Sequence, residues 1–407
     1  MTQTLVLAGA DIVLPDRVTP GGTIIIENGR IASILSRVVP TASDVPRVDL
    51  RGHTVVPGFI DVHVHGVEGI DSLDGPGAVR DLAARMPKYG VTAFSPTTVA
   101  CPPAELRIVI DAVRACREAP VARSARVLPA HLESNFINPD YKGAQPISCL
   151  RIPAAALAAG GEHRHSAQSL DFSGADILRV IEEAGPDVGI VTLAPELDGA
   201  MALIRRLVAS GRIVSLGHSA ATFDIAIDAI RAGARQATHL FNRMPPVGHR
   251  EPGLAGAVLQ APEVAAEIVC DGYHVHPGML RMAIAAKGTD RIMAMTDGTA
   301  GAGLPPGTRA SLGGRAIDVR EQGAFLEDNT LAGSTATMDR VFRVLTGVGG
   351  LGFVDAATVC ATTPARELGL TGHGIIAPGA VADLVVLGPH LTVVETYIAG
   401  QPCLGRH

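Results

Sequence analysis

The 407-residue chain has no tryptophan, few aromatic residues and only six cysteines. The cysteines are spread over the whole length without a C-x-x-C pair, which argues against a disulfide framework and is typical of a reduced, cytoplasmic protein. No apolar run approaches the ~20 residues that are needed to cross a bilayer. The N-terminal stretch also lacks the basic region of a signal peptide. We therefore expect a cytoplasmic protein with no membrane partner.

Basic residues are also fewer than acidic ones. The chain has 34 Lys and Arg residues against 40 Asp and Glu residues, and the basic residues are scattered rather than clustered. A nucleic-acid-binding surface usually shows a basic patch or stripe, so we expect no nucleic-acid partner. A small molecule is the expected ligand.

The two ends of the chain share a β-rich pattern of short strands and turns. Near the N-terminus, the Pro-Gly-Gly at residues 20–22 predicts a turn, and Asn28-Gly29 is a typical hairpin signal. The C-terminal stretch GIIAPGAVADLVVLGPHLTVVETYIAGQ returns to the same pattern. We predict that residues 1–56 and 370–407 together form one small β-sandwich domain.

Between these ends, short β-branched runs alternate with Ala-rich helical stretches, which is the pattern of βαβ units in a parallel sheet. Eight such runs are present, at Phe59–Val64, Thr92–Pro96, Val127–Leu132, Val188–Leu193, Ile213–Gly217, Gln236–Leu240, Ala265–Val269 and Ile292–Met295. Eight units predict an α/β fold, a TIM-like (β/α)8 barrel over residues 57–369. The chemistry of such a barrel lies at the C-terminal ends of its strands.

Metal-competent or titratable residues follow six of the eight predicted strands. They are His63 and His65, His131 and Glu133, His218, His239, Asp271 and His274, and Asp297. One histidine after an apolar strand is usually a satisfied core residue, but several at one rim predict a metal site. Histidine and carboxylate ligands without cysteine suit zinc, or a similar divalent ion such as iron, manganese or cobalt.

Such an ion would lower the pKa of a bound water to ~7 and make hydroxide available to attack a carbonyl or phosphoryl centre. A neighbouring carboxylate can take up the proton and return it to a leaving group. Asp297, the last acidic residue on the last predicted strand, is the candidate for this role. The alternative is that Asp297 serves only as a turn or N-cap carboxylate.

An ordered set of motifs covers nearly the whole chain. It comprises HLE at 131–133, GHS at 217–219, THLFN at 238–242, REPG at 250–253, DGYHVHP at 271–277, TDGTA at 296–300 and LAGSTATMD at 331–339. Together they resemble the N-acetylglucosamine-6-phosphate deacetylases of the amidohydrolase superfamily. The PGFID start at residue 57 and the PGAVADLVVL ending are similar to that superfamily in general.

The resemblance implies a metal centre with one or two divalent ions. Glu133, His218 and His239 match the primary metal ligands of the family. His63 and His65 match the H-x-H pair that some members use for a second ion.

The resemblance also implies roles around the substrate. Asp297 matches the catalytic acid and base, and His274 matches a histidine that contacts the substrate near the amide. Asn242 and Arg250 match residues that bind the sugar phosphate, and in the family this arginine comes from the neighbouring subunit, which implies a homodimer. A loop that touches the substrate is matched by Leu331, Ala332, Gly333 and Ser334.

Four departures from the family pattern bear on the substrate. Ser134 and Asn135 replace Gly-Pro after the glutamate, and Gln145 stands where a substrate-binding histidine is typical. Arg243 replaces a small residue, and it would add a cation to the anion pocket only if it pointed inward. The stretch Cys149–Asp171 is longer than usual, and its EHRH at 162–165 is expected to be a solvated surface segment that could act as a lid.

Three alternatives remain open from the sequence. The first is an amidohydrolase that acts on another N-acyl or cyclic amide; many of these use a carboxylated lysine on strand four, which VTLAPEL lacks. The second is a metal-free relative that serves binding or assembly. The third keeps the reaction but uses N-acetylgalactosamine 6-phosphate. The expected function is metal-dependent hydrolysis of N-acetylglucosamine 6-phosphate to glucosamine 6-phosphate and acetate.

Overall fold

The computed structural model describes residues 4–38, 45–158 and 171–405. Eight parallel strands form the central barrel. They are β1 (Phe59–Val64), β2 (Val91–Thr98), β3 (Ala130–Glu133), β4 (Val188–Leu193), β5 (Ile213–Leu216), β6 (Gln236–Ala237), β7 (Ala265–Val269) and β8 (Ile292–Met295). Each strand pairs in parallel with the next one along the chain. A parallel bridge between Val64 and Gly298 joins the end of β8 back to β1, so the predicted (β/α)8 barrel is confirmed.

Two barrel strands have different bounds from those that the sequence predicts. The predicted run Val127–Leu132 is split, since Arg126–Val127 and β3 pair separately with β2. Pro129 lies between the two pieces, and proline has no N–H to offer a sheet. Strand β6 is also shorter than predicted.

Helices surround the barrel, and their apolar faces form one large core cluster with the outer faces of the strands. The α-helices are Ala78–Arg85, Pro103–Glu118, Pro153–Ala158, Gly174–Glu183, Ala200–Ala209, Phe223–Ala232, Gly253–Gln260, Pro277–Lys287, Met338–Thr346, Phe353–Ala357 and Thr363–Glu367. Short 3-10 helices occupy Met86–Tyr89, Pro139–Tyr141, Ile147–Cys149, Gly185–Asp187 and Thr289–Arg291, and Thr358–Thr362 is a π-helical turn. Among the described residues, no helix is both long and apolar enough to span a bilayer.

A second, mixed sheet combines strands from both ends of the chain. Its strands are Thr4–Val13, Val18–Glu27, Arg30–Leu35, Arg47–Asp49, Thr54–Pro57, Leu384–Leu387, Val393–Ile398 and Gln401–Pro402. Antiparallel pairing of Thr54–Pro57 with Leu384–Leu387 joins the N-terminal and C-terminal parts, as the sequence predicts. The division of the domains at residues 56/57 and 369/370 stays a prediction.

Of the two turns predicted near the N-terminus, one is present in the structure and one is not. Asn28 and Gly29 both have positive φ angles, of 51° and 77°, and connect two antiparallel strands as a hairpin turn. The turn predicted at residues 20–22 is wrong, because these residues lie within the strand Val18–Glu27 where its register shifts. The chain instead turns just before that strand, where the Leu14 N–H donates to Arg17 O at 2.8 Å.

A small sheet that the sequence analysis missed follows β8. Its three antiparallel strands are Arg309–Leu312, Arg315–Arg320 and Gly323–Phe325. Gly313 and Gly314 make the first turn with positive φ angles, and this Gly-Gly pair is the signal that could have found the hairpin. The sheet lies next to the barrel rim, because Gly313 N–H donates to Asp71 Oδ2 at 2.9 Å.

Asp383 connects the mixed sheet to the barrel. Its buried carboxylate lies 3.1 Å from the Arg126 guanidinium and 2.9 Å from His373 Nδ1, and it accepts the Ala399 N–H at 2.7 Å. Burial opposes ionisation of Asp383, but the His373 hydrogen bond and the Arg126 charge outweigh it and hold the pKa of the carboxyl below its usual value.

We expect Asp383→Asn to lower the free energy of unfolding by about 2 kcal/mol at pH 7, because it removes the charge that pairs with Arg126. A lowered pKa means that the stabilisation is present above the unfolded pKa of about 4 and is lost as the pH falls through the folded pKa. Urea unfolding from pH 7 to pH 3 tests this. Exposed Asp49→Asn is the control, and an Asp383 variant as stable as wild type at pH 7 would refute the role.

Candidate metal centre and substrate cavity

The ends of five barrel strands bring six predicted site residues together. They are His63 from β1 and His65 directly after it, Glu133 from β3, His218 after β5, His239 after β6 and Asp297 after β8, and all six are buried. His218, His239 and Asp297 have positive φ angles of 48°, 33° and 48°. Such left-handed backbone is costly for residues other than glycine and is concentrated at functional sites.

Glu133, His218 and His239 form the first candidate ligand group. Glu133 Oε1 lies 2.7 Å from His218 Nε2 and 2.9 Å from His239 Nε2, and the two Nε2 atoms are 3.0 Å apart. Ligand atoms on a tetrahedral ion with bonds of 2.0–2.1 Å lie roughly 3.3 Å from one another. His218 Nδ1 lies 2.8 Å from the carbonyl oxygen of Tyr141, which holds the ring proton on Nδ1 and frees Nε2. The group therefore fits a divalent ion.

His63, His65 and Glu133 form a second group beside the first. The Nε2 atoms of the two histidines are 3.3 Å apart, and Glu133 Oε2 lies 3.4 Å from His65 Nε2. Asp297 Oδ1 lies 3.5 Å from His63 Nε2 and 3.4 Å from His65 Nε2. Glu133 is thus common to both groups, which is the arrangement expected for one ion or for two neighbouring ions.

The charges of this centre shift the pKa values of its members. Burial opposes the charged form of Asp297, but the His65 hydrogen bond and the charges of His63 and His65 outweigh it and lower the pKa of Asp297. Burial also opposes the charged form of His65, yet hydrogen bonds to Asp297 and Glu133 raise its pKa to about 10. At His63, burial is the largest effect and outweighs the charges of Asp297 and Glu133, so that its pKa is lowered to about 4. Asp297 is consequently ionised at neutral pH and is able to accept a proton.

A cavity opens above the centre. It is lined by predicted site residues from the centre, from the segments after the strands and from the 331–333 loop, namely His65, Glu133, Gln145, His218, His239, Asn242, Arg243, His274, Asp297, Leu331, Ala332 and Gly333. Gly143, Ala144 and Leu312 complete the wall. Leu312 belongs to the small sheet after β8, so the missed sheet contributes to the site.

Arg243 is among the residues that line the cavity, and the residue as a whole is exposed. Its role as a cation in the anion pocket stays a prediction. Its side chain passes so close to Gly143 that a Cβ at that glycine would lie 2.7 Å from Arg243 Nε. Gly143 also has a φ angle of +58°, so this position has two reasons to be glycine. The Arg243 side chain therefore packs against Gly143, which also lines the cavity.

Gln145 and His274 have defined partners in the cavity wall. Gln145 Oε1 accepts the Ala100 N–H at 2.7 Å, and Gln145 Nε2 donates to Glu133 Oε2. His274 Nδ1 lies 2.7 Å from Asp271 Oδ2, which leaves Nε2 for the cavity. Gln145 thus contacts the candidate ligand Glu133 and also lines the cavity.

Three of the residues to which the resemblance gives a ligand or substrate role lie outside the cavity lining. His63, a member of the second ligand group, is fully buried. Ser334 is also fully buried, and its Oγ donates to Thr296 O at 2.5 Å while its N–H donates to Asp297 O at 2.8 Å. Arg250 is exposed. The EHRH stretch at 162–165 lies outside the described residues.

The two substitutions that follow Glu133 hold the strand end in place. Ser134 Oγ donates to Thr192 O at 2.6 Å, and Asn135 Nδ2 donates to Cys101 O at 2.9 Å and Cys149 O at 2.8 Å. They therefore act on the loop geometry around Glu133, and neither lines the cavity.

Two buried acids near the centre were missed. Asp61 on β1 accepts hydrogen bonds from Thr296 Oγ1 at 2.5 Å and Thr296 N at 3.2 Å, which helps to close the barrel beside Asp297. Glu267 on β7 lies below His63, with its Oε2 3.1 Å from His63 Nδ1. The signal for both was available, since each is the only acid in a short strand that is otherwise largely apolar.

The known proteins to which this chain is similar include amidohydrolases and deacetylases of N-acetyl sugar phosphates. The family model described as "Amidohydrolase family" matches residues 54–403. An N-acetylglucosamine-6-phosphate deacetylase of Lysinibacillus sphaericus is 33% identical over 379 residues, which cover 92% of each chain. An N-acetylgalactosamine-6-phosphate deacetylase of Escherichia coli O157:H7 is 32% identical over 91% of this chain and 93% of its own. Among solved structures, a mutant N-acetyl-D-glucosamine-6-phosphate deacetylase from Mycobacterium smegmatis in complex with N-acetyl-D-glucosamine-6-phosphate is 31% identical, with a TM-score of 0.84 over 99% of each chain.

Proposed function

The chain belongs to the amidohydrolase family, and on that premise we propose that it is a metal-dependent deacetylase of N-acetylglucosamine 6-phosphate, releasing glucosamine 6-phosphate and acetate. One observation carries the proposal: the ligand group of Glu133, His218 and His239 shares a cavity with the carboxylate of Asp297 and the guanidinium of Arg243. Amide hydrolysis requires an electrophile and a proton carrier, and a phosphate requires a cation.

Zinc is the proposed ion. Glu133, His218 and His239 would hold the first ion, and His63 and His65 would join Glu133 in holding a second. When bound, such an ion supplies Lewis acidity, which polarises the amide carbonyl and makes hydroxide available near neutral pH.

Asp297 moves the proton. As an ionised carboxylate in the cavity wall, it accepts a proton from the attacking water and then delivers that proton to the amide nitrogen as the C–N bond breaks. Its backbone is fixed by the Ser334 N–H and by its own N–H, which donates to His63 O at 3.0 Å. The carboxylate therefore stays in place between the two steps.

The remaining lining residues orient the substrate. His274, held by Asp271, would donate from the cavity side to the amide or a sugar hydroxyl, while Asn242 and the loop at 331–333 border the ring. Arg243 would bind the phosphate, for which a planar guanidinium offers bidentate hydrogen bonds. Exposed Arg250 would reach the phosphate from the partner subunit of a homodimer.

We place the enzyme in the cytoplasm. The six cysteines all lie within the described residues and are free thiols, five of them buried, as expected in a reducing compartment.

Deacetylation of N-acetylgalactosamine 6-phosphate is the second candidate. The 32% identity to a deacetylase of that sugar favours it, and Gln145 replaces a residue type that is typical of substrate binding. The test compares kcat/KM for acetate release from N-acetylglucosamine 6-phosphate, its galacto epimer and unphosphorylated N-acetylglucosamine. A gluco preference supports the proposal, a galacto preference supports the second candidate, and preference for the unphosphorylated sugar contradicts both.

Arg243→Ala is expected to raise KM for N-acetylglucosamine 6-phosphate by about 10- to 100-fold, because a charge-assisted hydrogen bond pair to phosphate contributes roughly 1.5–3 kcal/mol. The kcat value should change little, since Arg243 is proposed to bind the phosphate and not the reacting amide. Arg243→Lys should recover only part of the loss, because lysine lacks the fork geometry. Arg206→Ala, on an exposed outer helix, is the matched control. An unchanged KM in Arg243→Ala would place the phosphate elsewhere.

A further inference from the structure

Glu267 is a buried acid for which the proposed reaction has no use. It lies on β7, inside the barrel, with no exposed surface. Its Oε2 is 3.1 Å from His63 Nδ1, and its Oε1 is 3.8 Å from His131 Nδ1. A carboxylate without a partner inside the barrel would be strongly destabilising. The contact with His63 is therefore important for Glu267, and its role has to be explained.

Glu267, His63 and His131 are close enough to suggest a separate metal site, but the hydrogen bonds of His131 argue against one. His131 Nδ1 lies 3.1 Å from the carbonyl oxygen of Val62, to which it must donate. Its Nε2 lies 2.8 Å from Thr192 Oγ1 and accepts from that hydroxyl. Both ring nitrogens are thereby used, and His131 has no lone pair left for a cation.

We propose that Glu267 is a positioning residue that orients His63 as a ligand, acting from behind the ring. The carboxylate accepts the proton of His63 Nδ1, so that the lone pair of Nε2 faces His65 and Glu133. The inference rests on the proposed metal centre. In the opposite tautomer, a hydrogen on Nε2 would point at His65 Nε2, 3.3 Å away, and would block the second ligand group.

The two ligand groups differ in the acceptor that lies behind a ligand histidine. His218, in the first group, donates from Nδ1 to the neutral carbonyl of Tyr141, whereas His63 donates to a carboxylate. A carboxylate behind a histidine raises the basicity of its ligating nitrogen, and loss of such a partner typically weakens metal binding by about 10- to 100-fold. The effect of removing Glu267 should therefore be confined to the ion at His63 and His65.

The test titrates metal-free wild-type and Glu267→Gln protein with Co²⁺, followed by visible absorption and by metal content after gel filtration. We expect the second ion to bind about 10- to 100-fold more weakly in Glu267→Gln, while the first ion binds as in wild type. Glu395→Gln is the matched control, because Glu395 is equally buried but lies in the mixed sheet. His63→Ala combined with Glu267→Gln should bind no more weakly than His63→Ala alone.

Three results would overturn the inference. They are unchanged binding of both ions in Glu267→Gln, equal loss of both ions together with a lowered Tm, and Co²⁺ binding that is the same in His63→Ala as in wild type. The cobalt titration needs no substrate. If the ions bind as expected and no acetate is released from the sugar phosphate, the proposed substrate fails while the role of Glu267 stands.

Discussion

Replacing Asp297 by Asn is expected to lower kcat by about 10³-fold without reducing the metal content, because general acid–base catalysis contributes 10²- to 10⁴-fold. The amide of asparagine keeps the size of the side chain but can neither take a proton from water nor return one to the leaving nitrogen. The fold should be unaffected, since the backbone bonds of residue 297 to His63 and Ser334 remain.

The measurement is steady-state acetate release by protein whose metal content has been equalised. Asp187→Asn is a suitable control, because Asp187 is a buried acid that precedes β4 and pairs with Arg114 and Arg117 away from the cavity. Wild-type turnover in Asp297→Asn would remove this carboxylate from the mechanism. A loss of turnover accompanied by loss of the ions would show that Asp297 acts as a ligand instead.

Replacing Glu133 by Gln is expected to remove metal from both ligand groups and to lower kcat/KM by roughly 10³-fold or more, since the Lewis acid contributes several kcal/mol to the transition state. Glu133 has this effect because one oxygen lies against His218 and His239 while the other lies 3.4 Å from His65. No other described residue belongs to both of the groups that surround the cavity.

Metal content and activity are measured on the same preparations. Glu395→Gln, a buried glutamate in the mixed sheet, should keep both. Removing the ions from wild type with a chelator should reproduce the Glu133→Gln defect, and adding zinc back should restore the wild type alone. A Glu133→Gln protein with full metal content and full activity would contradict the assigned centre.

The barrel and the ring of candidate ligands were predictable from the sequence because both depend on local pattern. β1, β5, β6 and β8 lie within strand runs that the sequence predicts, and the barrel rule places whatever follows them at one rim. His63, His65, His218, His239 and Asp297 are adjacent to those runs, so their convergence followed without any long-range information.

Other features depend on contacts between distant parts of the chain and could not be read locally. Arg243 packs against Gly143, a hundred residues earlier, and the partner of Glu267 lies two hundred residues away on β1. The Pro-Gly-Gly at 20–22 has turn chemistry, but pairing with the neighbouring strands keeps it within a strand. The small sheet after β8 had a Gly-Gly signal, yet its contact with the cavity through Leu312 required the structure.

The most direct test of the central claim is proton NMR of N-acetylglucosamine 6-phosphate incubated with zinc-loaded protein, with metal-free protein as the comparison. The account predicts that the acetamide methyl signal disappears as free acetate and glucosamine 6-phosphate appear in equal amounts, and only with metal. An unchanged acetamide signal in the presence of fully zinc-loaded wild-type protein would contradict it.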